Sequence, residues 1–322
     1  MRLKARVVQL DRGFPLVRTE DGAQFRCKHA TALVKGKKHR AVIGDEVMVE
    51  ADEAADIAQI LEILPRRCSL VRKDPAERSL PQTLAANFDV VVVAHPLFEL
   101  NIRRLERELV LAHETGARVV VALTKADLAQ DEAQLRETTE LVQAIATNDD
   151  TVLVVSEFDA PSVEALRACI PADCTAVLIG RSGVGKSSLV NLLAGSEVQQ
   201  TTAVRETDGK GRHTTVNRSM VAVRDGGWVV DMPGVRGLGL WNADAGIAAA
   251  FPDIDKAAME CRFRDCKHGA EPGCAVREAV EAGRIPPQRL ESYLRLTEEN
   301  EQQKQRNEEA SRIRSRGGRR KR

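Results

Sequence analysis

The chain has 322 residues, of which 43% are hydrophobic and 30% charged, and its formal net charge is +1. That length predicts two domains or three small ones, and the composition is that of a soluble globular protein and excludes a polycation. Aromatic residues make up only 3%, so the cores must be built mainly from Leu, Val, Ile and Ala. No apolar run approaches the roughly 18 residues of a membrane span, and Met1-Arg-Leu-Lys-Ala-Arg6 has no apolar segment of the kind that begins a secretory signal. Seven cysteines, an odd number with three near residue 270, argue against a disulfide scaffold and for a reducing, cytoplasmic setting.

Residues 1–66 read as short strands broken by turns. Ala5–Leu10 alternates, Phe14–Thr19 leads to Glu20-Asp21-Gly22, and Gln24–Cys27 follows. A basic loop, Lys35–Arg40, precedes the turn Gly44-Asp45, the strand Glu46–Glu50 and a last apolar strand, Ile57–Leu64. Five short strands with turn signals predict an OB-like β-barrel, a fold that often holds single-stranded nucleic acid. Residues 66–86, with two prolines and many charges, read as a linker.

From Phe88 the period changes. Val90–Ala94, Arg118–Leu123, Thr151–Ser156 and Ala176–Ile179 are apolar runs separated by helical patterns, which predicts a doubly wound parallel sheet. Ser219–Val223 and Trp228–Asp231 flank Asp225-Gly-Gly and read as a hairpin. The chain is helical beyond Trp241 and ends in one long helix from Gln288 to about Arg314. Its apolar residues (Leu290, Tyr293, Leu294, Leu296) lie only in the first half, so the second half is expected to be exposed or frayed. The acid-free end, Ser311–Arg322, is a basic tail.

Several motifs fall at strand ends. Thr124-Lys125-Ala126-Asp127 resembles the N-K-x-D guanine motif. There a carboxylate accepts from the guanine N1–H and N2 amine, donors that adenine does not offer, and Lys125 would pack its stem over the base. Thr124 replaces the usual Asn, which is expected to weaken guanine preference. Ser156 ends the next strand, where a loop would touch guanine O6. Gly180-Arg181-Ser182-Gly183-Val184-Gly185-Lys186-Ser187 fits the phosphate-binding loop and opens a helix continuing through Ser188. Backbone N–H groups and the helix dipole would face the phosphates. Lys186 would neutralise β/γ charge, and the Ser187 hydroxyl would ligate Mg²⁺.

Asp231-Met-Pro-Gly234 is a D-x-x-G: its Asp would hold a magnesium-bound water, and the Gly234 N–H would reach a γ-phosphate. In the polar stretch Gln199–Thr215, which is expected to be mobile, Thr215 is the favoured second Mg²⁺ ligand over Thr214. Val235 cannot orient a water, which leaves His213 as the catalytic candidate beside Lys186. The guanine motif precedes the phosphate loop, and D-x-x-G comes last. This order is a circular permutation, which leaves loops at the carboxyl ends of parallel strands in place. Cys261, Cys266, His268 and Cys274 form a Cys₃His set suited to one structural Zn²⁺.

Together these residues resemble the ribosome small-subunit-dependent GTPase A family, the circularly permuted GTPases called RsgA or YjeQ. The likeness is most specific in Gly211–Thr215, Asp231–Trp241 and Cys261–Val280. It implies a multidomain protein with an N-terminal OB-fold, a central α/β circularly permuted P-loop GTPase domain and a C-terminal, mostly helical zinc-binding domain. We place these at 1–66, 67–245 and 246–322. It also implies GTP as cofactor, late 30S ribosomal subunit maturation as the function, the 30S subunit with its 16S rRNA as partner, and His213 as the catalytic residue. A monomer without membrane contact is expected. The same motifs leave open an RNA-binding assembly factor that uses the nucleotide only as a conformational ligand, or a phosphoryl-transfer kinase.

Overall fold

The structure, a computed structural model, describes residues 1–10, 14–34, 40–51, 57–74, 80–198, 218–232 and 239–319, with side chains to 313. Strands β1 (Arg2–Leu10), β2 (Pro15–Thr19), β3 (Gln24–His29), β4 (Glu46–Glu50) and β5 (Ala58–Ile63) make the first unit, with a short helix α1 (Thr31–Val34) after β3. Their order is β1-β2-β3-β5-β4, and β4 returns to pair with β1. The β3–β5 pair is parallel and the rest are antiparallel, which closes the expected five-stranded OB-like barrel. Alternation fills it: Ala5, Val7, Val17, Cys27, Val47, Val49, Ala58 and Ile60 meet inside. The intervening Arg2 and Lys4 face out, where Lys4 pairs with Glu46 at 2.9 Å.

Residues 66–86 are not a linker. Strands β6 (Ser69–Lys73) and β7 (Pro81–Ala86) form an antiparallel hairpin, and Leu70, Leu84 and Ala85 are buried against the central sheet. Charge and proline misled the sequence reading because both are accommodated: Arg72 donates to Gln82 at 3.0 Å, and Pro81 opens its strand. The hairpin also carries the joint to the barrel. Arg66 donates twice to the buried Asp45 carboxylate, at 2.7 and 2.8 Å. Asn87 donates to the Gly44 carbonyl at 3.2 Å. Gly44 has φ of 85°, and a Cβ there would lie 2.0 Å from the Ala86 carbonyl, so only glycine permits this approach.

The central sheet contains β8 (Val90–Pro96), β9 (Arg118–Thr124), β10 (Thr151–Val154), β11 (Thr175–Ile179), β12 (Arg218–Ala222) and β13 (Trp228–Asp231). Its order is β10-β9-β8-β11-β13-β12. The first five are parallel and β12 is antiparallel to β13. Beyond β12 the sheet continues into the barrel, because Gln9 and Leu10 of β1 pair with Ser219 and Arg218. Helices α2 (Ile102–His113), α3 (Glu132–Ile145), α4 (Ala160–Ala168) and α5 (Lys186–Ala194) cover the faces. Every residue of β8 is buried, as expected for a central parallel strand. Val91, Val121, Val177 and Val230 point to the face covered by α2 and α3, while Val92, Ala122, Leu178 and Val229 point to that covered by α4 and α5.

Helices α6 (Asp244–Ala250), α7 (Pro252–Ala258), α8 (Ala275–Glu281) and α9 (Pro287–Arg319) complete the chain. Ile247, Phe251, Ile254, Val276, Leu290 and Leu296 join the same core as α2. Arg289 fastens the turn of α6 and α7: it donates to Asp253 at 2.7 and 2.9 Å and to the Ala250 carbonyl at 2.9 Å. The start of the polar half of α9 is not frayed, contrary to expectation. Asn300 and Gln303 are buried, and the Asn300 side chain accepts from the Ala243 N–H at 2.9 Å and donates to Asp244 at 3.2 Å. The Asn300 amide serves here because it satisfies the otherwise unpaired N terminus of α6, which an apolar side chain cannot do. Among the described residues no helix is long and apolar enough to cross a membrane. Asn300→Ala strands the Ala243 N–H. It is expected to lower unfolding free energy by about 1–3 kcal/mol, read as a shifted urea midpoint with unchanged slope. The exposed Gln302→Ala serves as control.

Candidate nucleotide-binding site

The nucleotide-site residues of the sequence reading that the structure describes gather at the carboxyl ends of β9, β10, β11 and β13. The phosphate loop leaves β11 and runs into α5. Gly180, at its start, has φ of 143°, and a Cβ there would sit 2.4 Å from the Ala94 carbonyl of β8. Glycine is therefore required for the loop to lie against its neighbouring strand. Lys186 is buried at the start of α5, and its ammonium donates to the Gly180 and Arg181 carbonyls at 2.8 and 2.6 Å. Burial pushes Lys186 down to about 8, against the opposing charges of Asp231 and Glu108. The Asp231 carboxyl, at the end of β13, is pushed up by burial, and the Lys186 charge opposes that shift. Anionic phosphate entering this loop would replace neutral carbonyls as the partner of Lys186. Ser187 and Ser188 stand half-buried in the first turn of α5, while Arg181 and Ser182 are exposed, with Arg181 ion-paired to Glu99.

The Thr124–Asp127 loop closes the other side. Thr124 is buried, and its hydroxyl donates to the Val184 carbonyl of the phosphate loop at 2.7 Å, with the His95 carbonyl 3.3 Å away. It thus staples two loops together. Lys125 takes a left-handed φ of 57°, and its ammonium lies 5.8 Å from the centre of the Phe98 ring. Ala126 N–H donates to Val155 at 3.4 Å, and the Ser156 hydroxyl donates to Asp127 at 2.9 Å, so β9 and β10 present one continuous rim. A cavity of about 370 Å³ opens here, lined by Thr124, Lys125, Asp127, Phe158, Gly185 and Ser188 among others. His213, Thr215 and Gly234 lie outside the described residues, as do Lys35–His39.

Two site neighbours were missed by the sequence reading. Glu108 of α2 is buried, accepts from Arg104 at 2.9 Å and adds negative charge near Lys186. The signal was a glutamate on the apolar face of α2, in line with Leu105 and Ala112. His95, at the end of β8, is buried beside the Thr124 hydroxyl, and burial pushes its imidazole down. It sits in an otherwise apolar strand, which was the available signal.

Cys261, Cys266, His268 and Cys274 form a second cluster, with all four donor atoms within 4.8 Å of one another. His268 Nδ1 lies 3.6 Å from Cys261 Sγ and 3.5 Å from Cys274 Sγ, and these two sulfurs are 4.0 Å apart. A tetrahedral ion with bonds of about 2.3 Å to sulfur and about 2.0 Å to nitrogen sets the nitrogen–sulfur and sulfur–sulfur separations at about 3.5 and about 3.8 Å. The donor set therefore fits zinc. His268 also packs against Tyr293 of α9, with ring centroids 6.0 Å apart.

A phosphate loop mid-sheet, a carboxylate ending the next strand and a base-type loop that precedes both in the chain define a circularly permuted P-loop nucleotide-binding fold. Comparisons agree. The family model described as RsgA GTPase matches residues 63–241, more than half of the chain. The small ribosomal subunit biogenesis GTPase RsgA of Streptomyces avermitilis is 43% identical over 300 residues, covering 93% of this chain and 80% of the relative. The Methanosarcina acetivorans protein of the same name is 40% identical over 259 residues, 80% of this chain and 69% of the relative. Among solved structures, YjeQ from Thermotoga maritima superposes with a TM-score of 0.70 at 27% identity, over 93% of this chain and 99% of that one. The chain belongs to the RsgA GTPase family, and it is a GTPase.

Thr124→Val removes the hydroxyl while keeping the shape, and leaves the Val184 carbonyl short of a donor. We expect GDP affinity to fall about fivefold to tenfold, with Thr124→Ser close to wild type, in equilibrium titrations at one salt concentration.

Proposed function

We propose that this chain acts in small ribosomal subunit biogenesis as a GTP-driven switch that engages the 30S subunit through 16S rRNA. The observation that carries this is the convergence of the phosphate loop, Asp231 and the Thr124–Asp127 loop, at the carboxyl ends of β11, β13 and β9 in one parallel sheet, in a chain of the RsgA family. In this reading the backbone from Gly180 to Ser188 wraps the phosphates, and Lys186 carries the neutralising charge. Thr124, Lys125, Ala126, Asp127 and Ser156 form the base site: Asp127 accepts from the guanine edge, and Ser156 orients that carboxylate. Ser187 and Thr215 would hold Mg²⁺, Asp231 would hold its water and the Gly234 N–H would meet the γ-phosphate. Mg²⁺ held there would supply charge neutralisation to the phosphates. We assign His213 to positioning the attacking water.

Cys261, Cys266, His268 and Cys274 would hold one structural Zn²⁺, since four protein ligands leave no open coordination position. The division into 1–66, 67–245 and 246–322 is our reading of the working units, in a cytoplasmic monomer. The barrel, the basic residues Arg262, Arg264 and Lys267 interspersed among the zinc ligands, and the tail form the RNA-facing surface in this reading. Support for the barrel comes from its OB-like strand order, and for the tail from its acid-free sequence.

Turnover of GTP by the chain alone is expected to be slow and to rise at least about tenfold with purified 30S subunits, because Val235 stands where a water-orienting side chain would help. Equal turnover with and without subunits would sink the proposal. Metal analysis should find one zinc per chain, lost in Cys266→Ser together with thermal stability. Deleting Ser311–Arg322 should make the salt dependence of RNA binding shallower, each lost phosphate contact removing about 0.7–0.9 from the log–log slope.

A further inference from the structure

We infer that Phe158 is the second wall of the base site, stacking its ring on the guanine face opposite the Lys125 stem. This rests on the reading of Asp127 and Ser156 as the base-binding loops. Phe158 lines the cavity of about 370 Å³ beside Lys125 and Asp127. Its exposure is 79%, against 43% for Phe14 and Phe263, the next most exposed of the seven phenylalanines. The ring therefore buries little of itself in the protein, yet it stands at the rim of the nucleotide site. An apolar ring so placed gains most by covering the face of a planar ligand.

The backbone of Phe158 is tied to the edge-reading carboxylate through one hydroxyl. Phe158 N–H donates to the Ser156 hydroxyl at 3.2 Å, and that hydroxyl donates to Asp127 at 2.9 Å. The next residue is also tied down, with Asp159 N–H donating to the Ser156 carbonyl at 3.2 Å. One hydroxyl thus connects the group that reads the edge of the base to the group that covers its face. Lys125 lines the same cavity, and its ammonium lies 5.8 Å from the centre of the Phe98 ring, so the stem has an apolar neighbour of its own. The two walls do different chemistry. Asp127 selects guanine by its donors, whereas stacking takes any purine, because every base has a π-face. Phe158 should therefore set affinity and residence time without setting base choice.

The test uses the full chain, with GDP, IDP and inorganic pyrophosphate as competitors of a ribose-labelled fluorescent GDP. Phe158→Ala should weaken GDP and IDP by the same factor, about tenfold, and leave pyrophosphate within twofold of wild type. Phe158→Trp should restore GDP binding, and its indole emission should change on GDP addition. GDP binding within twofold of wild type in Phe158→Ala, or an equal loss for pyrophosphate, overturns the inference. Asp127→Asn separates this from failure of the base-site reading. An amide there donates to the 2-carbonyl of xanthine, so the variant should exchange guanine for xanthine preference. If it does and Phe158→Ala is silent, only the stacking role fails. If it does not, the base lies elsewhere, and both the base-site reading and the stacking role fail.

Discussion

One buried hydroxyl holds the nucleotide site in register. Thr124 ends β9, donates to the phosphate loop at Val184 and lies beside the His95 carbonyl at the end of β8. The ends of β8 and β9 and the loop that follows β11 meet at that point. In a parallel sheet, loops at the carboxyl ends are otherwise independent of one another, because the ladder bonds stop where the strands stop. A short donor between them converts separate loops into one surface. The requirement for glycine at position 180 is the same constraint seen from the other side: the phosphate loop must lie against the Ala94 carbonyl before Thr124 can reach it.

The permuted order decides what this surface is attached to. β13 carries Asp231, and the chain leaves it toward α6, not toward another strand. The Gly246 N–H of α6 donates to Glu114 at 2.6 Å, just past α2, and its first turn is held by Asn300 and Lys304 of α9. α2 in turn carries Glu108, whose charge acts on Lys186, and Arg107, which pairs with Glu299 of α9. The C-terminal helices therefore share a core and a polar network with the nucleotide site. The Cys₃His cluster is tied to this assembly through Tyr293, which packs edge-on against Phe251 at 5.6 Å.

Local chemistry made much of this legible. The barrel strands could be read from alternation, the central sheet from runs such as Val90–Ala94, and the loops from glycine and charge at strand ends. What escaped was tertiary. The 69–86 hairpin looks like a linker because its burial comes from Leu70 and Leu84, spaced among charges that find partners only in three dimensions. Asn300 reads as one more polar residue on a polar helix, and nothing local marks it as the partner of a backbone N–H fifty-seven residues away. Thr124 was expected to be a weaker guanine contact. Its hydroxyl also bonds the phosphate loop, a role that depends on the order of strands in the sheet, which is set by topology rather than by spacing.

Helix α9 has 33 residues, about 50 Å from end to end. Among the described side chains Gln303 is the last one buried, so a stretch of about 24 Å of helix extends past the dock. Such a spar has reach without slack. A tether of equal residue count would sample a volume, whereas a helix keeps its terminal charge at one radius. A tilt of about 10° at the dock would sweep the end through about 4 Å, comparable to the distance between adjacent charges on a nucleic acid strand. The geometry of the dock at Asn300 thereby becomes a matter of where distant charge is delivered.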